Sequence, residues 1–580
     1  MRFPAGMQKK HWVIQPADSR AAELAGLLKV SPLLAQVLIN RGITDLAGGE
    51  GFLRPKLTEL IAPDRMPQIE TAVQRIKKAV KTKEKITVYG DYDVDGITGV
   101  AILWQILKLL GAEVDYYIPH RIEEGYGLNI EAVESLAKSG TRLLITVDCG
   151  ITGLDAAELA GQLGLELIIT DHHQPEARLP RAIAIVHPAM EKSYPNQNSS
   201  GSMVAFKLAW AIANEFSDGP KLEPQLRQFM LNATSLAAMG TVADIMDLRG
   251  ENRVLTRYGL KALPECSLSG IQALIESTGL AGQGLDSFDI GFRLAPTLNA
   301  AGRMGHARLA VELLTSDSEI RSMQIAEYLK TQNNQRRKYE QKIFKQACEM
   351  IVDRNLNHPD QKTIVLASED WHTGVIGIVA SKIVDKFYRP TIMINATNGT
   401  AQGSARSIAG FDLLRAINAC SGHLISFGGH KMAAGITLRT ERIAPFAAEL
   451  ESYAKENLSE ESIVNKLNID ATADLGMFTR EVVAELEMLS PFGQGNPEPI
   501  FATKGVHLAS DVRKVGAKGD HLQLAITDNT VCLRCIGFGI GKLEKKLLET
   551  DFFNVAYQPK INTYNGQSNV QLVLNDIQFE

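Results

Sequence analysis

Acidic and imidazole residues crowd into two short stretches of this chain, Asp91-Tyr92-Asp93-Val94-Asp95-Gly96 and Asp171-His172-His173. Each follows an apolar run that predicts a buried strand, Ile86-Thr87-Val88-Tyr89 before the first and Leu167-Ile168-Ile169-Thr170 before the second. Side chains just past strand ends lie where open α/β sheets keep their ligands. Hard oxygen donors mixed with imidazole suit Mg²⁺ or Mn²⁺ bound beside a phosphate. A third apolar run, Leu143-Leu144-Ile145-Thr146-Val147, ends in Asp148, and a fourth acidic site, Asp244, follows Leu236 to Val242. A lone Asp-x-Asp is ordinarily a turn or a helix cap. Acidic residues closing four apolar segments favour a metal site instead.

The set Asp93, Asp95, Asp148, His172 and Asp244 allows two cations, with Asp148 as the carboxylate that bridges them. Such a pair would activate a water near neutral pH and neutralise charge on phosphoryl oxygens. His173 is placed to contact the phosphate or to protonate the leaving oxygen.

The elements that must hold these residues follow from the hydrophobic pattern. Strand-like and helical stretches alternate from about 70 to 320, which predicts a parallel sheet wrapped by helices. The charged run from Arg75 to Lys85 reads as a solvated helix face. Residues 1–50 read as a helical extension, and 321–358 as a long connecting helix. A second α/β domain is expected over 360–455, with three glycine-bearing loops: Trp371–Gly374, Gly403–Ser407 and Gly428–Gly435. Pro491 to Pro499 is dense in Pro and Gly and reads as a linker or loop. The alternating segments beyond it predict a small β-barrel, giving a last domain over 465–580.

Composition sets further bounds. The chain has 580 residues, a formal charge of −5 and a pI near 6.2, so no overall field attracts a polyanion, and a nucleic acid must be held by local basic groups and metal ions. Six cysteines in this length do not make a disulfide framework, and the C-x-x-C at Cys532 and Cys535 reads as structural. No signal-like or membrane-spanning apolar stretch is read, and a cytoplasmic location without membrane contact is expected.

The Asp171-His172-His173 triplet, with the upstream Asp-x-Asp and Asp148, resembles the DHH phosphoesterase superfamily. Four further motifs are similar to its branch of 5′→3′ single-stranded-DNA exonucleases: Val88–Gly96, Asn299–Arg303, Trp371–Gly377 and Gly428–Gly435. That resemblance spans about 70 to 500. It implies Mg²⁺- or Mn²⁺-dependent release of 5′-mononucleotides, and contacts with a single-strand-binding protein and a DNA helicase. It also implies that the final domain is an oligonucleotide-binding barrel, and it carries metal ligation onto the same five residues. Asp91 stands near a position where many members have His, and is either a weak ligand or a loop cap. Arg303 is a planar fork for phosphate or, alternatively, an inter-element salt bridge. Gly428, Gly429 and His430 resemble a phosphate-contacting loop, and Ser404, Arg406 and Ser407 offer a second set of donors. His187 and the stretch Ser199–Ala205 depart from the family pattern; they are expected to touch none of the ligands. A small-substrate phosphodiesterase and a non-catalytic replication scaffold are the competing readings. The β-rich C-terminal region argues against the first, and the intact ligand set against the second.

Overall fold

The computed structural model describes residues 10–120, 124–219, 221–303, 306–397, 399–564 and 566–579. The chain divides into two compact units, one of residues 16–332 with 470–580, the other of residues 1–15 with 333–469.

In the first unit, five parallel strands lie in the spatial order Val114–Tyr117, Ile86–Gly90, Leu143–Val147, Glu166–Thr170, Ala184–Val186. Alternate side chains serve two cores, as a pleated strand requires. Val88, Ile145 and Ile168 face the helices Val94–Leu109, Gly201–Glu215 and Pro224–Ala243, whereas Tyr89, Leu144 and Leu167 face Ile130–Lys138 and Leu154–Gln162. The chain leaves its first strand in one direction and crosses to the other side for its third. This strand order places a crevice between the carboxyl ends of Ile86–Gly90 and Leu143–Val147, the position at which such sheets bind ligands.

The C-terminal barrel belongs to the same unit. Seven strands run from Ala471–Thr472 to Gln567–Phe579, and Phe501–Leu508 pairs with His521–Thr527 to close the sheet on itself. Cys532 is exposed and Cys535 buried, as opposite faces of one strand require. The expected N-terminal extension is not separate. Helices Ala21–Leu28 and Pro32–Asn40 bury Leu24, Leu28, Leu34 and Leu38 in one core with Phe501, Phe553 and Tyr557 of the barrel. Apolar spacing reveals those helices but carries no information about which surface they cover.

In the second unit a mixed five-stranded sheet runs Leu424–His430, Ala433–Arg439, Thr400–Arg406, Thr391–Asn395, Ile364–Ser368. Helix Thr373–Phe387 packs against it, and strand His11–Ile14 pairs in parallel with Lys466–Ile469. Two of the three expected loops are strands: Gly403 to Arg406 and Gly428 to His430 lie within the ladder, the latter turning through Lys431 and Met432 into Ala433–Arg439. Glycine density predicts loops, but here it allows tight sheet packing. A Cβ at Gly403 would lie 2.7 Å from Ile436. The 35-residue helix Glu319–Asp353 has its first turns in one unit and the remainder in the other. Among the described residues, no single helix is long and apolar enough to cross a membrane.

Candidate metal centre

The turn after strand Ile86–Gly90 is built for close approach. Asp93 caps helix Val94–Leu109, its carboxylate accepting from Asp95 N at 2.9 Å and Gly96 N at 3.3 Å. A Cβ at Gly96 would lie 2.7 Å from Asp91 O, so only glycine lets the turn fold back on Asp91. Asp95, on the first turn, points away to the start of helix Gly201–Glu215. There it accepts from Gly201 N at 2.6 Å and Ser202 N at 2.9 Å. The same helix start abuts Asp148, for a Cβ at Gly201 would meet the Asp148 carboxylate at 2.6 Å. Asp148 has φ 61°, a left-handed conformation that a residue adopts only under tight local constraint.

His172 stands at the middle of the set. Its Nε2 is 3.1 Å from Asp148 Oδ1, 3.6 Å from Asp244 Oδ2 and 3.9 Å from Asp95 Oδ2. Three overlapping groups result, in which the potential ligand atoms lie within 4.8 Å of one another: Asp95, His172 and Asp244; Asp148, His172 and His173; and Asp91, Asp93 and Asp148. The chain therefore gathers the five expected ligands together with Asp91. Arg303 ends helix Ala295–Arg303, but its side chain lies outside the described residues.

Electrostatics show what the cluster lacks. Burial, and then Asp95, Asp93, Asp91 and Asp244, push the Asp148 carboxyl well above the ordinary carboxylate range. Burial and the neighbouring Asp95 raise Asp93 as well. Burial, Asp95 and Asp93 push Asp244 up to about 8. Burial lowers the basicity of His172, keeping its imidazole neutral and a lone pair available. Among the described residues, the only basic side chains within 4.0 Å of the Asp95, Asp148 and Asp244 carboxylates are His172 and His173. Asp148 Oδ1 and His172 Nε2 are buried, face each other, and make no hydrogen bond. Crowded carboxylates and orphaned donor atoms are what bound cations would satisfy. The residues present fit hard divalent ions.

His173 is held differently. Burial alone would lower its basicity, but the hydrogen bond to Asp171 Oδ1 at 2.8 Å overrides this and raises it to about 9. Burial likewise opposes ionisation of Asp171, and the same bond overrides it, holding Asp171 at about 2. Asp171 also accepts from the backbone N–H of His172, His173 and Ile151, so it organises the triplet. Tyr126 OH lies 3.0 Å from His173 Nδ1.

Of the two departures expected to touch no ligand, His187 holds to that, bonding beside the triplet, while the Ser199–Ala205 stretch does touch one. His187 Nδ1 accepts from Ala189 N at 3.0 Å, which leaves Nε2–H to donate to His173 O at 2.8 Å. The Ser200-Gly201-Ser202 start supplies both amides to Asp95. Contacts made by backbone groups leave no residue-type signature. Sequence reasoning also misses the roles of Asp171 and Tyr126. The only signal for Asp171 is its place in the triplet, and for Tyr126 its glycine-flanked loop.

In the other unit, Arg406 Nη1 donates to Ser404 Oγ at 3.1 Å and to Ala405 O at 2.8 Å. Both side chains lie beneath Gly377 of helix Thr373–Phe387, where a Cβ would be 2.8 Å from Ser404 Oγ. Ser407 is buried and its hydroxyl donates to Phe411 O, so its proton is committed within the turn rather than offered to a phosphate. Gly428 pairs with Gly435, Gly429 has φ 143°, and His430 is exposed at the end of its strand.

Three family models match the chain: the DHH family N-terminal domain over residues 85–234, the DHHA1 domain over 342–456, and the RecJ OB domain over 469–576. The chain is 38% identical to the single-stranded-DNA-specific exonuclease RecJ of Bacillus subtilis over 572 residues, 98% of this chain and 71% of that protein. It is 33% identical to the corresponding protein of Haemophilus influenzae, covering 90% of this chain and 92% of the relative. Its structure matches that of RecJ in complex with Mn²⁺ from Thermus thermophilus with a TM-score of 0.82 and 29% identity, over 98% of this chain and 80% of that one. The Mg²⁺ complex of the same protein matches with a TM-score of 0.77.

Proposed function

The chain belongs to the RecJ family, and from that premise we propose that it is a metal-dependent exonuclease. It hydrolyses single-stranded DNA 5′→3′ to 5′-mononucleotides in DNA recombination and repair. The observation that carries this reading is the pair of orphaned buried donors, Asp148 Oδ1 and His172 Nε2, inside a ring of carboxylates.

Asp93, Asp95, Asp148, His172 and Asp244 hold two Mn²⁺ or Mg²⁺ ions, with Asp91 as a sixth, weaker contributor. When bound, the ions supply an activated water and neutralise charge on the phosphoryl oxygens. The Gly201 and Ser202 amides fix the Asp95 carboxylate, so its oxygens need not reorganise as charge moves. His173, cationic at neutral pH and oriented by Asp171, contacts a phosphate oxygen or gives a proton to the departing 3′ oxygen. Arg303 adds charge to the phosphate. Arg406, Ser404, Gly428, Gly429 and His430 form the surface that takes the 5′-terminal phosphate, the guanidinium offering a fork of donors. The barrel binds the strand by charge and stacking. A cytoplasmic location and contacts with a single-strand-binding protein and a helicase complete the reading.

The test uses long single strands labelled at the 5′ or the 3′ end, with Mn²⁺ and purified protein. A 5′ label should appear at once as a mononucleotide, while a 3′ label stays on shortening strands and duplex is spared. Mononucleotides released first from the 3′ end, or equal attack on duplex, would sink the proposal.

A further inference from the structure

The segment Pro491-Phe492-Gly493-Gln494-Gly495-Asn496-Pro497-Glu498-Pro499 reads as a linker, yet it is fixed at nearly every residue. Asn496 is fully buried and donates to Leu489 O at 2.8 Å and Pro491 O at 2.7 Å. Arg253, also buried, donates to Leu489 O at 2.9 Å and Ser490 O at 2.8 Å, and Arg41 reaches Asn496 and Pro497. Gly493 and Asn496 exchange backbone hydrogen bonds at 2.9 and 3.1 Å, closing a tight loop.

That loop grips the residues just after Asp244. Gln494 O accepts from Leu248 N at 2.8 Å. A Cβ at Gly493 would lie 2.7 Å from Leu248 Cδ1, and one at Gly495, whose φ is +71°, would lie 2.0 Å from Asp247 Oδ1. Asn252 donates to Asp247 O at 3.0 Å from the other side. Between Asp244 and this grip the chain turns through Ile245, a β-branched residue with φ 57° that is 70% exposed. Such a conformation is costly and persists only where the surroundings enforce it. Ile245 gains nothing from burial; the helix end holds it by a left-handed cap, with Ile245 N donating to Val242 O and Met246 N to Thr241 O, both at 3.1 Å, and the clamped Asp247–Leu248 fixes the chain that leaves this cap.

We infer that the Gly493–Asn496 loop is a positioning element for Asp244: by clamping Asp247 and Leu248 it holds the left-handed turn that aims the Asp244 carboxylate at His172. The inference rests on the metal-centre reading above. It also makes the segment leading into the barrel a structural support of the catalytic domain rather than a passive connection.

The test is Mn²⁺ binding to the metal-free full chain by calorimetry, with thermal unfolding in the absence of metal as the companion readout. Gly495→Ala drives a methyl into Asp247 and should weaken Mn²⁺ binding about tenfold to a hundredfold, the range seen when supports of metal ligands are removed. The double variant Gly495→Ala/Asp247→Ala removes the clash but keeps the strained φ, and should recover most of the lost affinity. Ser287→Ala, which deletes the hydroxyl that donates to Phe492 O, is the milder second variant and should shift binding the same way by less. Unchanged Mn²⁺ binding in both Gly495→Ala and Ser287→Ala, or a double variant as weak as Gly495→Ala, would overturn the inference. Absence of Mn²⁺ binding by the wild-type chain would instead overturn the metal-centre reading beneath it.

Discussion

Replacing Asp244 by Asn should stabilise the metal-free protein at alkaline pH while destroying its response to metal. The Asp244 carboxyl, ordinarily protonated below 3.8, holds its proton up to about 8 because of burial and the charges of Asp95 and Asp93. The folded state therefore binds more protons than the unfolded one between those limits, and stability falls as pH rises through that window. At roughly 1.4 kcal/mol per pH interval, full ionisation would cost about 5–6 kcal/mol. The side chain is still 30% exposed, so solvent screens much of this, leaving about 2–3 kcal/mol. Asn keeps the shape without the charge. Thermal unfolding in EDTA should show the variant about 2–3 °C more stable than wild type near pH 8, and nearly equal to it near pH 5. Adding Mg²⁺ near pH 8 should reverse the order, since only the wild type gains binding energy from the ion. A variant that is less stable than wild type at both pH values without metal would show that Asp244 is not under carboxylate repulsion, and the electrostatic reasoning would fail.

Other substitutions separate the roles of neighbours. His172→Ala should lower Mn²⁺ occupancy, whereas His173→Ala should leave occupancy near wild type and slow turnover by about 10²–10⁴-fold, the span of general acid–base contributions; equal metal loss in both would contradict that division. Gly201→Ala pushes a methyl into Asp148 and disturbs the amides that hold Asp95, so Mn²⁺ titrations of activity should shift about tenfold or more to higher concentration. An unshifted titration would mean that the start of that helix does not support the ligands. Arg406→Ala should weaken use of 5′-phosphorylated ends more than 5′-hydroxyl ends in competition assays, and equal loss on both would remove the terminal-phosphate assignment.

Much of this site is legible without the fold, because strand-end carboxylates and a His pair are signals of residue type. Asp93, Asp95, Asp148, His172 and Asp244 are close in space because their elements converge on one sheet crevice. What is not legible lies in the backbone and in packing. The amides of Gly201 and Ser202 carry no side-chain identity, and His187 acts through its hydrogen bond to His173 O. Glycines at 403, 428 and 435 look like loop punctuation, yet they lie in strands that neighbours approach closely or that leave an open groove. The N-terminal helices are visible as periodicity, but their docking on the barrel depends on a surface more than 400 residues away in sequence, as the hydrogen bond from Asn40 to Asp470 O illustrates with a separation of 430.

The most direct measurement is anomalous diffraction at the manganese edge from crystals of the wild-type chain and of Asp148→Ala grown with Mn²⁺. The account predicts two peaks about 4 Å apart in the wild type, with Asp148 between them, and the loss of at least one in the variant. A single site remote from Asp148, or two unaltered peaks in Asp148→Ala, would contradict it.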